Sequence, residues 1–320
     1  MIKIPLENEK RKVIQEKYWK KIENHTRIIS ELKKQENIKE IKEQLGNNNS
    51  NLIDFLYTDN NFNTENFKKI VTADYKQMLE YINDFKLNIT EDISAFLPKK
   101  VFKYHTISKF IKEILLDINV STCPYCNRQY TTALKYNSVR PCLDHYFPKK
   151  KYPFLAISLW NLIPCCNTCN LAKLDHDTYE YPISYPYKDE FGEDIIFTAR
   201  LEENKDYVKF LQGLNSSFSL PIKNIENDGI LPPSVSTQIN LLHLQDLYNQ
   251  HTSYVQNILK SSYIYSPEHI KQLLKEYPEL FKEKEDVINL IYMTNIQRDN
   301  LINTPLSKLA RDIILNLHFE

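Results

Sequence analysis

The residues of this chain that combine reactive types with informative spacing lie in one central stretch. All six cysteines fall between Cys123 and Cys169, and four of them form two CxxC pairs, Cys123 with Cys126 and Cys166 with Cys169. Two such pairs supply the four thiolates of a tetrahedral structural zinc site. Six cysteines are too few for a disulfide-dense secreted scaffold. We therefore predict structural Zn²⁺ bound by these four side chains.

The same cysteines allow other interpretations. Buried free cysteines can pack as small apolar side chains, and a single CxxC pair can serve redox catalysis. The clustering of two pairs favours a metal site over both. Cys165 could replace Cys166 as a ligand, and otherwise Cys142 and Cys165 are expected in the core. The interval between Cys126 and Cys166 is longer than in a simple zinc ribbon, which predicts an inserted working element.

The neighbouring residues Asp144 and His145 lie inside this interval and suit phosphodiester hydrolysis. The neutral imidazole of His145 can take a proton from water near neutral pH. The carboxylate of Asp144 is a hard ligand that suits Mg²⁺ or Mn²⁺. Neighbouring side chains on an extended strand point to opposite faces, so the pair can serve one site only where the strand ends or bulges. Pro148 is consistent with such an ending.

The order of the motifs resembles that of the HNH (ββα-metal) endonucleases in their zinc-knuckle form. The chain has CxxC, then Asp-His with a proline shortly after, then Asn-Leu, then CxxCN with a lysine three residues on. The version DHYFPK followed by NLIP is similar to HNH nucleases of bacterial anti-phage defence. It is most similar to the Septu type, which works beside an ATPase and is also found attached to some retrons. The resemblance covers residues 120–178.

The resemblance implies a fold and an activity. The fold would be mainly α with a small α+β insert, a central ββα-metal (HNH) module stapled by the four-cysteine zinc site and flanked by helical N- and C-terminal regions. The activity would be metal-dependent hydrolysis of nucleic-acid phosphodiester bonds, leaving a 5′ phosphate and a 3′ hydroxyl. DNA is the expected substrate, with RNA as the alternative. The implied context is bacterial anti-phage defence with a companion ATPase subunit.

The resemblance also assigns residues. His145 corresponds to the general base, and Asn161 to the position that steadies the loop facing it. Asn170 stands where many members have the last histidine, so the catalytic Mg²⁺ or Mn²⁺ would bind Asp144 and Asn170. If a helix starts near residue 167, Lys173 shares a face with Asn170 and places a cation beside the scissile phosphate.

Two points stay open on the sequence alone. His176 is an alternative metal ligand, although it lies off the face of Asn170 on a continuous helix. The run Lys149, Lys150 and Lys151 could grip a phosphate backbone or form a solvated loop.

The rival function from another class is a non-catalytic zinc module that binds nucleic acid or scaffolds a defence complex.

Composition narrows the function classes. Lysine plus arginine equals aspartate plus glutamate at 41 each, with a net charge of +0, so contact with nucleic acid must come from a local patch. The four glycines cannot form a phosphate-binding P-loop or a Rossmann motif, which argues that the chain is itself neither an ATPase nor a dehydrogenase. There is no membrane-spanning apolar run or signal-peptide pattern. We expect a cytoplasmic bacterial protein without a membrane partner.

Periodicity and composition divide the chain into four regions: a helical region at 1–118, a region of cysteines, prolines and aromatic residues at 119–178, a short β and loop region at 179–234, and a helical region at 235–320. The resemblance makes the second region the nuclease module.

Particular elements are predicted within these regions. A first amphipathic helix should end near Gly46, and a third should cover 106–117. Between them, a second helical stretch should follow Thr64, capped by the Thr64 hydroxyl, with apolar residues at helical spacing to Leu79. Short strands are predicted in DIIFTARL, VKFLQ and SFSL.

Overall fold

The computed structural model of the chain describes residues 1–136, 139–201 and 218–318. The described residues are mostly helical with small two-stranded sheets, which confirms the mainly α prediction. The strand predicted in VKFLQ lies outside the described residues. No helix of the described residues is both long and apolar enough to cross a membrane.

The chain forms two compact units. The first unit comprises Pro5–Val120 and Thr131–Pro182, and the second comprises Met1–Ile4, Ser121–Tyr130 and Ile183–Glu320. The division into four regions by composition stays a prediction.

The first unit begins with nine helices. They are α1 (Asn8–His25), α2 (Ile28–Leu32), α3 (Gln35–Leu45), α4 (Ser50–Leu56), α5 (Thr64–Val71), α6 (Tyr75–Phe85), α7 (Glu91–Lys100), α8 (Tyr104–Ile107) and α9 (Ile111–Ile118). A short antiparallel pair, β1 (Tyr57–Thr58) and β2 (Asn61–Phe62), lies between α4 and α5. Buried side chains at helical spacing, such as Ile14, Tyr18 and Ile22 in α1, form the apolar faces of these helices.

The helix predicted to run to Gly46 is instead three helices. The hydroxyl of Thr26 donates to the carbonyl of Ile22 and accepts from the amide of Ile28, and the Thr26 backbone is extended. A threonine that bonds to nearby backbone groups competes with the helix in this way. Gly46 does end α3, with a φ of 61° that favours glycine.

Both later helix predictions are corrected in part. Helix α5 starts at Thr64, but its cap is Asn63, whose side chain accepts from the amide of Asn66 at 3.0 Å, and not the Thr64 hydroxyl. The predicted stretch to Leu79 is two helices, because the side chain of Asp74 accepts from the amide of Gln77 and caps α6. The helix predicted over 106–117 is instead α8 and α9, which are separated by residues 108–110.

The C-terminal part of the first unit has the order strand, strand, helix. Strand β3 (Cys142–His145) pairs antiparallel with β4 (Leu162–Cys165), and helix α10 (Asn167–Lys173) follows β4. The register places Asp144 opposite Ile163 and His145 opposite Leu162.

The second unit carries the other described strands and helices. The strands are β5 (Ile195–Phe197), β6 (Arg200–Leu201), β7 (Phe218–Ser219) and β8 (Ile222–Asn224). The helices are α11 (Pro233–Leu241), α12 (Leu244–Asn249), α13 (Thr252–Ile264), α14 (Pro267–Glu276), α15 (Lys284–Tyr292) and α16 (Ser307–His318). Strand β5 pairs with β8, and β6 pairs with β7, both antiparallel. Strands therefore form in DIIFTARL and SFSL, as predicted.

Candidate functional site

A cavity of about 180 Å³ lies beside the end of β3 and helix α10. Five of the residues singled out in the sequence line it: Asp144, His145, Pro148, Lys149 and Asn170. The other residues in its wall are Tyr104, Leu143, Leu174 and Asp175. The cavity is hereafter called the Asp-His cavity.

Strand β3 ends at the Asp-His cavity. Pairing with β4 stops at His145, and the amide of Tyr146 donates to the carbonyl of Asn161 at 2.8 Å. Because the regular strand stops there, the two neighbours Asp144 and His145 can both reach one cavity, although a continuous strand would send them to opposite faces.

The imidazole of His145 is held by one backbone group. Its Nε2 lies 2.9 Å from the carbonyl oxygen of Ala156, and because a carbonyl only accepts, Nε2 carries the hydrogen in the bonded ring. Burial, with smaller contributions from the charges of Lys149 and Lys173, lowers the pKa of His145 to about 3. The ring is therefore neutral near pH 7 and its lone pair lies on Nδ1.

Asn161 fixes the loop that carries this carbonyl. Its side chain is fully buried, and its Oδ1 accepts from the amide of Phe147 at 2.8 Å. Its Nδ2 donates to the carbonyl oxygens of Phe147 and Leu155, at 3.1 Å each. Leu155 precedes Ala156, so the amide of Asn161 holds the segment that positions His145.

Lys173 makes a buried ion pair with Asp144. Its Nζ lies 3.2 Å from Oδ1 and 3.1 Å from Oδ2 of the carboxylate, and it donates to the carbonyl oxygen of His145 at 2.8 Å. The Lys173 side chain is 0% exposed. The ammonium thus ties helix α10 to strand β3, whereas the sequence led us to expect it beside a substrate phosphate. That role at the phosphate stays a prediction.

The two alternatives for the third metal ligand are placed differently. Asn170 is half-buried and lines the Asp-His cavity. His176 is not among the residues that line it, and its Nε2 lies 2.9 Å from the carbonyl oxygen of Tyr181. The geometry therefore favours Asn170 as a companion of Asp144.

The three consecutive lysines differ in their surroundings. Lys149 is exposed and lines the Asp-His cavity, and its Nζ lies 5.2 Å from the centre of the Tyr104 ring. Lys150 and Lys151 form ion pairs with carboxylates in the segment 175–180. Exposed pairs of this kind contribute little to stability.

Two residues of the cavity wall were missed by sequence reasoning. Tyr104 comes from helix α8, and its ring centre lies 4.7 Å from that of His145. Burial raises the pKa of Tyr104. Nothing in the sequence links this tyrosine to the module. Asp175 could have been found, because it is a carboxylate two residues after Lys173.

The four cysteines of the two CxxC pairs are buried and lie together. The Sγ atoms of Cys123, Cys126, Cys166 and Cys169 are all within 4.8 Å of one another. Four thiolates around one Zn²⁺ at about 2.3 Å stand roughly 3.8 Å apart in a tetrahedron, so the cluster fits this ion. The cluster therefore contains Cys166 and not Cys165.

Backbone amides contact the sulfurs of the cluster. The amide of Arg128 donates to Sγ of Cys126, and the amide of Cys169 donates to Sγ of Cys166, each at 3.4 Å. Hydrogen bonds from such amides partly offset the negative charge of thiolates gathered around an ion. Cys165 is buried as expected, and burial raises the pKa of its thiol, whereas Cys142 is half-buried.

Comparison with known proteins gives one partial similarity. The chain is 36% identical over 80 residues to the Septu protein PtuB of Bacillus thuringiensis. The matched stretch covers 25% of this chain and only 30% of that protein. No protein-family model and no solved structure matches the chain. The similarity supports the Septu resemblance for part of the chain, and the HNH identity stays a prediction.

Replacing Cys123 with serine should remove the zinc. Loss of one thiolate opens the tetrahedral set, and because metal binding and folding are coupled, the melting temperature should fall with the bound zinc. Metal analysis of the purified protein and a thermal melt measure both. Cys142→Ser is the matched control, because this half-buried cysteine is outside the cluster. Equal zinc content in both variants would contradict the assignment.

Replacing Lys173 with methionine should leave the Asp144 carboxylate buried without its cation. We expect the free energy of unfolding in urea to fall by about 3–5 kcal/mol. The double variant with Asp144→Asn removes both charges and should be less destabilised than Lys173→Met alone. Strict additivity of the two single effects would show that the pair does not interact.

Replacing Asn161 with alanine should destabilise the first unit. The change removes three buried hydrogen bonds and leaves backbone groups unpaired, which should lower the free energy of unfolding by about 2–4 kcal/mol. Asn51→Ala is the control, because that exposed side chain makes one hydrogen bond to the carbonyl of Asp84. Equal effects of the two changes in chemical denaturation would contradict a special role for Asn161.

Proposed function

We propose that the chain is a metal-dependent endonuclease of the HNH type that hydrolyses nucleic-acid phosphodiester bonds. One observation supports this most strongly: Asp144, His145 and Asn170 line a single cavity at the junction of β3, β4 and α10. A base, a carboxylate and an amide oxygen at one cavity are the groups that such hydrolysis needs.

The residues present fit a hard divalent cation. The carboxylate of Asp144 and the side-chain oxygen of Asn170 would hold Mg²⁺ or Mn²⁺, which prefer oxygen ligands and suit an amide better than zinc does. The cavity of about 180 Å³ also has room for several of the waters that Mg²⁺ keeps, at roughly 30 Å³ each. The bound ion would stabilise negative charge that develops on the phosphate.

His145 would act as the general base. With the hydrogen on Nε2 held by Ala156, the lone pair of Nδ1 can take a proton from the attacking water. The water oxygen forms a bond to phosphorus as the bond from phosphorus to the 3′ oxygen breaks. The 3′ oxygen takes up a proton from solvent water, and His145 returns its proton to solvent. The products are a 5′ phosphate and a 3′ hydroxyl.

Lys173 and Asn161 would act as positioning residues. Lys173 holds the Asp144 carboxylate, and Asn161 holds the loop whose Ala156 carbonyl orients the base. Groups held in this way need little reorganisation when substrate arrives. Zinc at the four cysteines would be structural.

The proposed context is anti-phage defence, supported by the partial similarity to a Septu protein. DNA is the proposed substrate and RNA the alternative, and a companion ATPase subunit is the proposed controller. The rival function is a non-catalytic zinc module that binds nucleic acid or scaffolds such a complex. A scaffold would need the cysteines, but it would not need a base and metal ligands gathered at one cavity.

The test is cleavage of plasmid DNA and of total RNA with Mg²⁺ or Mn²⁺, repeated with the companion ATPase added if the neighbouring gene encodes one. His145→Ala should lower the rate by about 10²–10⁴-fold, the usual contribution of a general base, while zinc content stays at the wild-type level.

His269→Ala is the matched control, because that histidine is exposed and lies in the second unit. It should cleave like the wild type. Inert behaviour of wild type and both variants under all these conditions would support the scaffold instead.

A further inference from the structure

A second cavity of the first unit, about 410 Å³ in volume, is lined by helices α2 and α8 and the residues beside them. Its wall contains four nitrogen-bearing side chains that can carry positive charge: Arg27, Lys103, His105 and Lys109. The hydroxyl-bearing residue Thr106 also lines it. We call it the α8 cavity. These residues belong to none of the motifs of the sequence.

The charge of the α8 cavity is positive. Its wall includes one carboxylate, Glu31, which forms an ion pair with Lys103. Arg27 and Lys109 are exposed, and neither forms an ion pair with any residue that the structure describes. This is the kind of local patch that a chain of net charge +0 needs in order to bind a polyanion.

The α8 cavity adjoins the Asp-His cavity along the chain. Tyr104 lines the Asp-His cavity, while its neighbours Lys103 and His105 line the α8 cavity. Neighbouring Cα atoms are about 3.8 Å apart, so the two cavities share helix α8 as a wall. The exposed ammonium of Lys149, over the Tyr104 ring, adds positive charge on the catalytic side.

We infer that the α8 cavity is a second phosphate-binding site, which takes a backbone phosphate of the same nucleic-acid strand whose scissile phosphate lies in the Asp-His cavity. The inference rests on the proposed function and assigns the N-terminal helices a role in it, which is to bind the substrate backbone. The guanidinium of Arg27 and the ammonium of Lys109 make the contacts with the phosphate. Neither forms an ion pair with a described residue, so each can displace counterions from the phosphate backbone.

The spacing of a nucleic acid is consistent with two adjoining phosphate sites. Each strand of a duplex carries a phosphate every ~3.4 Å along the helix axis. A strand whose scissile phosphate lies in the Asp-His cavity therefore carries further phosphates on both sides of it, and one of these can enter a neighbouring cavity. Contacts of this kind set affinity and position and do not read sequence.

The experiment measures binding of a short fluorescein-labelled DNA duplex, and of an RNA duplex of the same sequence, by fluorescence anisotropy over a salt series without added Mg²⁺ or Mn²⁺. The test variant is Arg27→Ala with Lys109→Ala. We expect its affinity to fall by about tenfold and the slope of log K against log salt to shrink by about 2, because two phosphate contacts are lost. The arm with the larger loss identifies the nucleic acid that the site binds.

The control is Lys39→Ala with Lys76→Ala, which removes the same charge from α3 and α6. These side chains are 79% and 86% exposed and make only exposed pairs one helical turn away. This variant should bind like the wild type in both arms.

Each result bears on one of the two proposals. If the wild type cleaves nucleic acid and the test variant keeps the wild-type affinity and salt slope, the second phosphate site is refuted while the nuclease stands. If the salt slope shrinks as expected but no cleavage occurs, the site stands and the nuclease fails. If the wild type binds neither duplex, the second phosphate site is refuted.

Discussion

The geometry of the candidate site depends on one buried amide. Asn161 precedes β4, and its side chain bonds to backbone groups of Phe147, near the start of the loop that follows β3, and of Leu155, in its middle. Without these bonds the loop would bury unpaired backbone groups, which costs free energy for each group. The loop is thereby fixed in one conformation, and the Ala156 carbonyl within it sets the orientation of the His145 ring. Asn161, which does not line the Asp-His cavity, thus helps to determine which ring nitrogen of His145 carries the hydrogen.

Local patterns in the sequence could predict much of this site. The CxxC spacing depends on short-range geometry, so it indicated the four thiols that the structure brings together. The neighbours Asp144 and His145 were a hypothesis whose weak point was strand alternation, and the end of β3 removes that difficulty. The start of helix α5 was predictable because residues that can cap a helix lie directly before apolar residues at helical spacing. The break at Thr26 was not, because a side-chain hydrogen bond outweighed the periodicity.

Other features were out of reach because they arise from tertiary packing. The contribution of Tyr104 to the cavity depends on how helix α8 packs against β3, and no local pattern encodes that. The burial of Lys173 was also unexpected, since lysines are mostly exposed and its helical spacing from Asn170 predicted a cation beside the scissile phosphate. Helix α8, which the sequence left without a function, supplies Tyr104 to the wall of the Asp-His cavity.

The ion pair of Lys173 with Asp144 has a consequence for when the chain could work. A carboxylate that already has a permanent cation beside it gives an arriving divalent ion less attraction than a bare one would. Under the proposed function, Mg²⁺ would compete with this ammonium for the Asp144 carboxylate, so occupancy of the metal site would rise only as the concentration of free Mg²⁺ rises.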